Sequence, residues 1–332
     1  VVLHVGTHKT GTTSIQAAIA GYDDGETATA PVGAADGSLA SLAYQRWPRQ
    51  ATSPEEAERR RRFLHVISSA DRARWIVSDE DLSARPKSAQ RDLLEDLAGA
   101  GITAEVVVYL RPPLAWAAAM FSEHVKHAAS PSVAVFDRGY RGRIGTFVER
   151  LPPDAVRVRR YATDALVDGD VVADFWATAG LDPLRRPSEP LRLHSTPAGA
   201  ATRLIHHLDL VQPPTVRPFS RDRCRARVLA ELATIFAGDG PIPADALAPH
   251  LSVEDATWAA ERFGFDDFVD PRLGTGDPDA LPRWLAEVPE ADVARVLDRI
   301  ADLGGEHEGA PEPGPVVATL ARRLAETETD GR

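Results

Sequence analysis

The chain has little cysteine: Cys224 is the single one in 332 residues. That excludes an internal disulfide and a metal centre built from several thiolates. Lysine is scarce as well, confined to Lys9, Lys87 and Lys126 against abundant arginine, the usage of a GC-rich genome. A lysine kept under that bias is worth locating. No run of 18 or more apolar residues occurs, so no membrane span is expected. No charged-then-apolar segment of the secretory kind precedes the first apolar run, and the expected compartment is a reducing cytoplasm. Net positive charge is missing too. At −11, the charge argues against nucleic acid or a polyanionic glycan as partner, since these want a contiguous basic face. What remains, 43% hydrophobic residues, fills the core of one large α/β domain, or of one domain with a helical extension.

The chemistry concentrates at the beginning. Val1-Val2-Leu3-His4-Val5 reads as a short buried strand, Gly6 to Gly11 as a tight loop, and Thr12-Thr13-Ser14 as the first turn of a helix. A strand, a glycine-bounded loop and a helix N-terminus make an anion site, because the first N–H groups of the helix lack intrahelical partners and its dipole favours negative charge. Gly6 and Gly11 let the backbone curl close to a phosphate. Thr12, Thr13 and Ser14 add hydroxyl donors, and Lys9 puts a cation inside the loop. The spacing half-matches the nucleotide P-loop, G-x-x-x-x-G-K-[ST]. Thr12 stands where that motif has its lysine, and the dinucleotide pattern G-x-G-x-x-G is absent.

The segment His8-Lys9-Thr10-Gly11-Thr12-Thr13-Ser14 resembles the 5′-phosphosulfate loop of sulfotransferases that use 3′-phosphoadenosine 5′-phosphosulfate (PAPS), in its bacterial branch. His8 stands where many members have proline. The resemblance implies a three-layer P-loop-like fold with a mostly parallel central sheet. It also implies PAPS as co-substrate, PAP (adenosine 3′,5′-bisphosphate) as product, and no metal. Gly6, His8, Lys9, Thr10, Gly11, Thr12, Thr13 and Ser14 would hold the 5′-phosphosulfate.

Two later segments extend it. Trp75-Ile76-Val77-Ser78 is a short strand followed by Asp79-Glu80-Asp81-Leu82-Ser83, and residues just past the carboxyl ends of parallel strands line the ligand crevice. Ser78, Glu80 and Leu82 match the family's Ser-x-Glu-x-Leu. Glu80 would take the acceptor's proton; the other reading is an acidic helix cap by Ser78, Asp79, Glu80 and Asp81. Ala104 to Leu110 is a buried strand ending in Arg111-Pro112-Pro113, similar to the family's 3′-phosphate element, where Arg111 would grip the 3′-phosphate through two N–H groups. The family's serine eight residues on is Ala119 here. Ser122, one turn further along the helix Leu114–His127, either substitutes for it or is a surface serine. His124 is an alternative base or a structural histidine, and Lys126 faces an anion or solvent.

Other expected elements are helices over Pro54–Ala70, Gln90–Ala98 and Arg143–Leu151, a loop over Ala129–Tyr140, and a strand over Ala155–Tyr161. Arg159, Tyr161, Asp174-Phe175 and Gly180-Leu181 match family framework. Residues 21–53 read as a loop-rich insertion with Tyr44, Trp47 and Pro48, either a cover for the site or a mobile surface loop. The division is a PAPS-binding core over 1–183 and a mainly helical region over 184–332, packed on the core and shaping the acceptor pocket or a lid. Its helices are expected at Thr196–Leu210, Asp222–Phe236, Ser252–Phe263, Pro289–Leu303 and Val316–Glu326, with a flexible linker over Gly304–Pro315. Family likeness there is limited to His194-Ser195 and Ala260-Glu261-Arg262-Phe263.

The implied reaction is in-line transfer of a sulfuryl group to a hydroxyl or amine of a small-molecule or saccharide acceptor, with Lys9 stabilising the leaving phosphate. The rivals are a P-loop kinase or NTPase using ATP–Mg²⁺, and a sulfotransferase-like protein that binds nucleotide without turnover.

Overall fold

The computed structural model of the chain describes residues 1–30, 40, 43–44, 53–69, 71–127, 131–188, 198–212 and 223–329. Trp47, Pro48, His194, Ser195 and Pro213-Pro214 lie outside the described residues, as does most of the insertion after residue 30. The strands are β1 (Val2–His4), β2 (Thr27–Thr29), β3 (Arg74–Ser78), β4 (Glu105–Leu110) and β5 (Val156–Arg160). The helices in chain order are α1 (Thr12–Ile19), α2 (Pro54–Ile67), α3 (Asp81–Ala84), α4 (Lys87–Gly99), α5 (Pro113–His127), α6 (Gly139–Arg150) and α7 (Val171–Ala179). They continue as α8 (Gly199–Val211), α9 (Arg223–Ile235), α10 (Ala244–Leu247), α11 (Val253–Phe263), α12 (Ala280–Ala286), α13 (Glu290–Asp302) and α14 (Pro313–Thr329).

The five strands form one parallel sheet in the order β2-β3-β1-β4-β5. β1 is central, and Val2 sits opposite both Ile76 and Glu105. From β1 the chain crosses to the edge strand β2, returns to β3 beside β1, and then builds outward on the other side through β4 and β5. The crevice where strand order changes direction is therefore at the carboxyl end of β1. Helices cover both faces, which is why β1 and most of β4 read as continuous apolar runs. On one face Val2, Ile76, Val107 and Tyr109 pack with Ile15 and Ile19 of α1 and Val172, Phe175 and Trp176 of α7. On the other, Leu3, Val77, Val106 and Val108 pack with Phe63 of α2, Leu93 of α4, Ile144 and Phe147 of α6, and Ala259 of α11. This is the expected α/β three-layer architecture.

The chain divides into two compact units, Val1–Pro112 with Arg138–Ser195 and Glu254–Val269, and Pro113–Asp137 with Thr196–Val253 and Asp270–Arg332. The first holds the sheet. The second is helical, and α5 belongs to it together with α8, α9 and α14. Within it, Arg225 is buried and donates to the Asp209 carboxylate and to the carbonyls of Lys126 and Val125. The segment expected as a flexible linker is pinned instead: His307 hydrogen-bonds the Thr319 hydroxyl at 3.0 Å and the Ala310 carbonyl at 3.1 Å.

Two further local expectations are corrected. The helix expected from Arg143 begins at Gly139, inside the expected loop, because the Asp255 carboxylate accepts from the N–H groups of Tyr140 and Arg141 at 2.5 and 2.8 Å. That cap comes from more than a hundred residues away. β2 lies in the segment read as irregular; Asp24 holds its start by accepting from the N–H groups of Glu26 and Thr27. No helix among the described residues is long and apolar enough to cross a membrane.

Candidate functional site

β1 ends at His4, and the loop from Val5 to Gly11 leads directly into α1. Val5 and Thr7 donate backbone N–H groups to the carbonyls of Val107 and Tyr109, both at 3.1 Å, and Tyr109 returns one to Gly6 at 2.7 Å. The loop thus rides on the end of β4. Its interior is fixed by two buried hydroxyls: Thr7 Oγ1 donates to the Tyr109 carbonyl at 3.1 Å, and Thr10 Oγ1 to the Thr7 carbonyl at 2.5 Å. Lys9 has a left-handed backbone (φ 66°), uncommon for a residue with a Cβ.

Gly11 is left-handed (φ 75°, ψ 18°) at the N-cap of α1. A Cβ there would lie 2.7 Å from Val171 Cγ1 and 3.3 Å from the Tyr161 ring, so glycine is required by both conformation and space. The first bond inside α1 runs from Ile15 N–H to the Gly11 carbonyl at 3.1 Å. The N–H groups of Thr12, Thr13 and Ser14 therefore have no intrahelical partner. Thr12 and Ser14 are buried and Thr13 is exposed.

Gly6 is where the second element arrives. Its φ is 95°, and a Cβ on it would lie 3.0 Å from Glu80 Cβ. β3 delivers Glu80 to that position, since Asp79 N–H donates to the His4 carbonyl at 2.8 Å. The alternatives left open for the acidic segment separate here. Asp79 does the capping, accepting from Asp81 N–H at 3.1 Å. Glu80 makes no side-chain cap and accepts from Gln16 Nε2 of α1. Asp81 accepts from His8 Nε2 at 3.0 Å and faces Arg85 at 3.7 Å. The His8 hydrogen bond outweighs burial and, with the Arg85 charge, holds the Asp81 carboxyl below its usual range.

The third element is Arg111 at the end of β4. Its Nη1 donates to the Lys9 carbonyl at 3.4 Å, its guanidinium carbon lies 5.8 Å from the centre of the Tyr161 ring, and its own carbonyl accepts from the Tyr140 hydroxyl at 2.6 Å. Burial pushes its pKa down, with the Tyr161 and Tyr140 hydroxyls acting the other way. No carboxylate among the described residues pairs with it. A half-buried guanidinium that stays charged and lacks a carboxylate is a favourable place for a ligand anion.

The sheet thus brings Gly6 to Ser14, Glu80 and Arg111 to one edge of the first unit. Ser122 belongs to the second unit, where its buried hydroxyl lies 3.1 Å from Thr202 Oγ1. Ala119 is buried. His124 is half-buried on α5 in the same unit, and Lys126 pairs with Glu123 at 3.0 Å.

Sequence reasoning missed Gln16, Asp81 and Tyr161 as parts of this edge. Tyr161 follows the carboxyl end of β5, so the rule that picked out Glu80 and Arg111 also reaches it. Its ring would meet a Cβ at Gly11 and lies 5.8 Å from the Arg111 guanidinium carbon. The same rule reaches Asp81 past β3, but not its partner His8; Gln16 carried no such signal, because its role depends on how α1 faces Glu80. Framework residues read from the sequence are structural: the buried Asp174 binds Arg159 Nη2 at 2.6 Å and accepts from Tyr109 at 2.9 Å.

Comparison with known protein families, characterised proteins and solved structures finds no match to this chain. Among the described residues, no group of three or more His, Cys, Asp or Glu side chains is placed to hold a metal ion.

Proposed function

We propose that the protein is a PAPS-dependent sulfotransferase acting on a hydroxyl or amine of a small-molecule or saccharide acceptor. One observation carries the reading: Arg111 and Lys9, about a hundred residues apart, meet through the guanidinium–carbonyl hydrogen bond. A single nucleotide with phosphates at both its 5′ and 3′ positions is the ligand such a pair suits. The helix N–H groups and Lys9 take the 5′ end, and Arg111, lacking a carboxylate, takes the 3′-phosphate.

In the reaction, the sulfur–oxygen bond to the 5′-phosphate breaks as the acceptor oxygen or nitrogen bonds to sulfur from the opposite side. Negative charge grows on the bridging oxygen, where Lys9 and the first turn of α1 stabilise it. The acceptor's proton passes to a base. Glu80 is our candidate, seated against Gly6 and oriented by Gln16. PAP leaves.

The ATP–Mg²⁺ reading draws on one specific feature, the buried Asp79 at the carboxyl end of β3 beside β1, a position from which a carboxylate can serve a magnesium ion. Calorimetric titration separates the two. PAP binding at micromolar concentration in the presence of EDTA, weakened by Lys9→Ala, is the result expected. Binding of ATP only with Mg²⁺, and indifference to PAP, would overturn the sulfotransferase reading.

A further inference from the structure

Arg111 stands where the sheet stops supporting the chain. The ladder between β4 and β5 ends at Leu110, whose carbonyl accepts from Tyr161 N–H at 2.7 Å. The bonds that join β4 to the loop are made at Tyr109, with Gly6 and Thr7. After Arg111 come Pro112 and Pro113, which have no N–H to anchor the turn. The guanidinium holds the Lys9 carbonyl at 3.4 Å, a long bond for a charged donor. A side chain from elsewhere fixes the Arg111 peptide: the Tyr140 hydroxyl donates to its carbonyl at 2.6 Å.

Tyr140 is itself firmly mounted. It is buried, and the Asp255 carboxylate accepts from its N–H at 2.5 Å. Its ring lies on that of Phe268, with 5.4 Å between centres. Next to Phe268, Asp267 pairs at 2.9 Å with Arg160, the β5 residue opposite Leu110. All of these residues lie in the sheet unit, to which Glu254–Val269 belongs although the sequence on either side of it belongs to the helical unit. Burial, with the Asp255 charge, raises the Tyr140 pKa well above its usual value, so the hydroxyl stays a donor.

We propose that Tyr140 is a positioning residue for nucleotide selection: by fixing the Arg111 peptide through its hydroxyl, it aims the guanidinium at the 3′-phosphate and so sets the preference for a 3′,5′-bisphosphate over a 5′-monophosphate. The inference rests on the nucleotide reading above and deepens it, naming the residue that makes Arg111 selective. Two parallel N–H bonds to a phosphate depend on the orientation of the planar guanidinium. A small rotation at the Arg111 backbone swings that group widely, because it sits at the end of a long side chain. With the peptide loose, binding would also bear the entropy of ordering the side chain. Asp255 and Phe268 act on the nucleotide site through Tyr140.

The test titrates the full chain with PAP and with 5′-AMP by calorimetry, for wild type, Tyr140→Phe, Arg111→Ala and the double variant. Tyr140→Phe removes the donor and keeps the ring. It should weaken PAP by about fivefold, the worth of one hydrogen bond, and change 5′-AMP by less than about twofold. In the Arg111→Ala background it should weaken PAP by less than about twofold, because the guanidinium it aims is gone. Should Tyr140→Phe fold poorly, Phe268→Leu keeps the hydroxyl but removes the ring that Tyr140 rests on, and should weaken PAP, and not 5′-AMP, by about twofold or more. A merely structural Tyr140 would lower the melting temperature and leave the ratio of PAP to 5′-AMP affinity at its wild-type value. That result, or a full effect persisting without Arg111, would overturn the role of Tyr140, while a wild-type preference for PAP kept the nucleotide reading. Equal affinity of wild type for the two ligands, or none for either, would remove both.

Discussion

The two compact units each bury an aspartate that is paired with an arginine, and the two differ in how fully the carboxylate is satisfied. In the sheet unit, Asp174 receives Arg159, the Tyr109 hydroxyl and Val167 N–H. Burial acts to raise its pKa, but these donors together outweigh it and hold the carboxyl below its usual range. In the helical unit, Asp209 has Arg225, and burial wins: its carboxyl is pushed up despite the guanidinium. The helical unit pairs several of its buried polar groups, as with Arg225 on two carbonyls and Thr202 with Ser122, yet leaves Arg203 Nε, His206 Nδ1 and His250 Nε2 without a hydrogen bond among the described residues. The sheet unit closes its polar network around Asp174 and gathers helix N–H groups and a guanidinium without a carboxylate at one strand end. Unpartnered polar atoms occur in both units; their convergence at the end of β1 marks the site.

The sharpest way to break this comparison is to truncate Asp209. Asp209→Ala leaves the Arg225 charge buried, and thermal or denaturant unfolding should show a loss of about 3–5 kcal/mol. A loss below about 1 kcal/mol would mean that the guanidinium was never dependent on its carboxylate. Next is Gly11→Ala, which forces a Cβ into Val171 at a left-handed position. It should cost about 1–3 kcal/mol of stability and at least about tenfold in PAP affinity, the loss expected when the first turn of α1 shifts from the anion. Retained affinity would separate the loop from binding.

Ser122→Ala should do much less. Thr202 Oγ1 lies 3.2 Å from the Ala198 carbonyl as well as 3.1 Å from Ser122. If Thr202 gives its one proton to that carbonyl, Ser122 gives its own to Thr202 and has none left for a phosphate. A stability loss of about 1 kcal/mol, with PAP affinity changed by less than about twofold, is expected. A larger affinity loss would restore Ser122 as a nucleotide contact.

The smallest effect is in the pH dependence. Asp174, with its pKa lowered on folding, contributes stability that is present above the unfolded value of about 3.9 and lost as pH falls through the folded one. Asp209, with its pKa raised, contributes stability below about 3.9 that is lost as pH rises to its folded value. Asp174→Asn should therefore flatten acid unfolding below about pH 4, whereas Asp209→Asn should remove a gain in stability on acidification that lies above about pH 4. The same change in both proteins would erase the distinction.

Much of this was legible in the chain. The strand-loop-helix corner at Gly6 to Ser14 could be read because glycines, hydroxyls and one lysine act through local backbone geometry. Arg111 could be read because a strand's carboxyl end points to the crevice wherever the strand lies in a parallel sheet. What could not be read depends on partners distant in sequence. Asp255 starts α6 from another segment, Asp81 fixes the ring of His8, and Gln16 orients Glu80; no local pattern announces any of them. β2 escaped because three residues between glycine-rich turns are too few for alternation to show. Ser122 lay eleven residues from Arg111 and one turn from the expected position, yet the chain passes from one compact unit to the other between them.

The central claim is that the loop and Arg111 hold one nucleotide between them. Comparing PAP with 5′-AMP, on wild type and on Arg111→Ala, tests it most directly. Arg111→Ala should weaken PAP by about thirtyfold or more, the worth of a charge-assisted contact to phosphate, and change 5′-AMP by less than about twofold. Equal losses for the two ligands, or none for either, would contradict it.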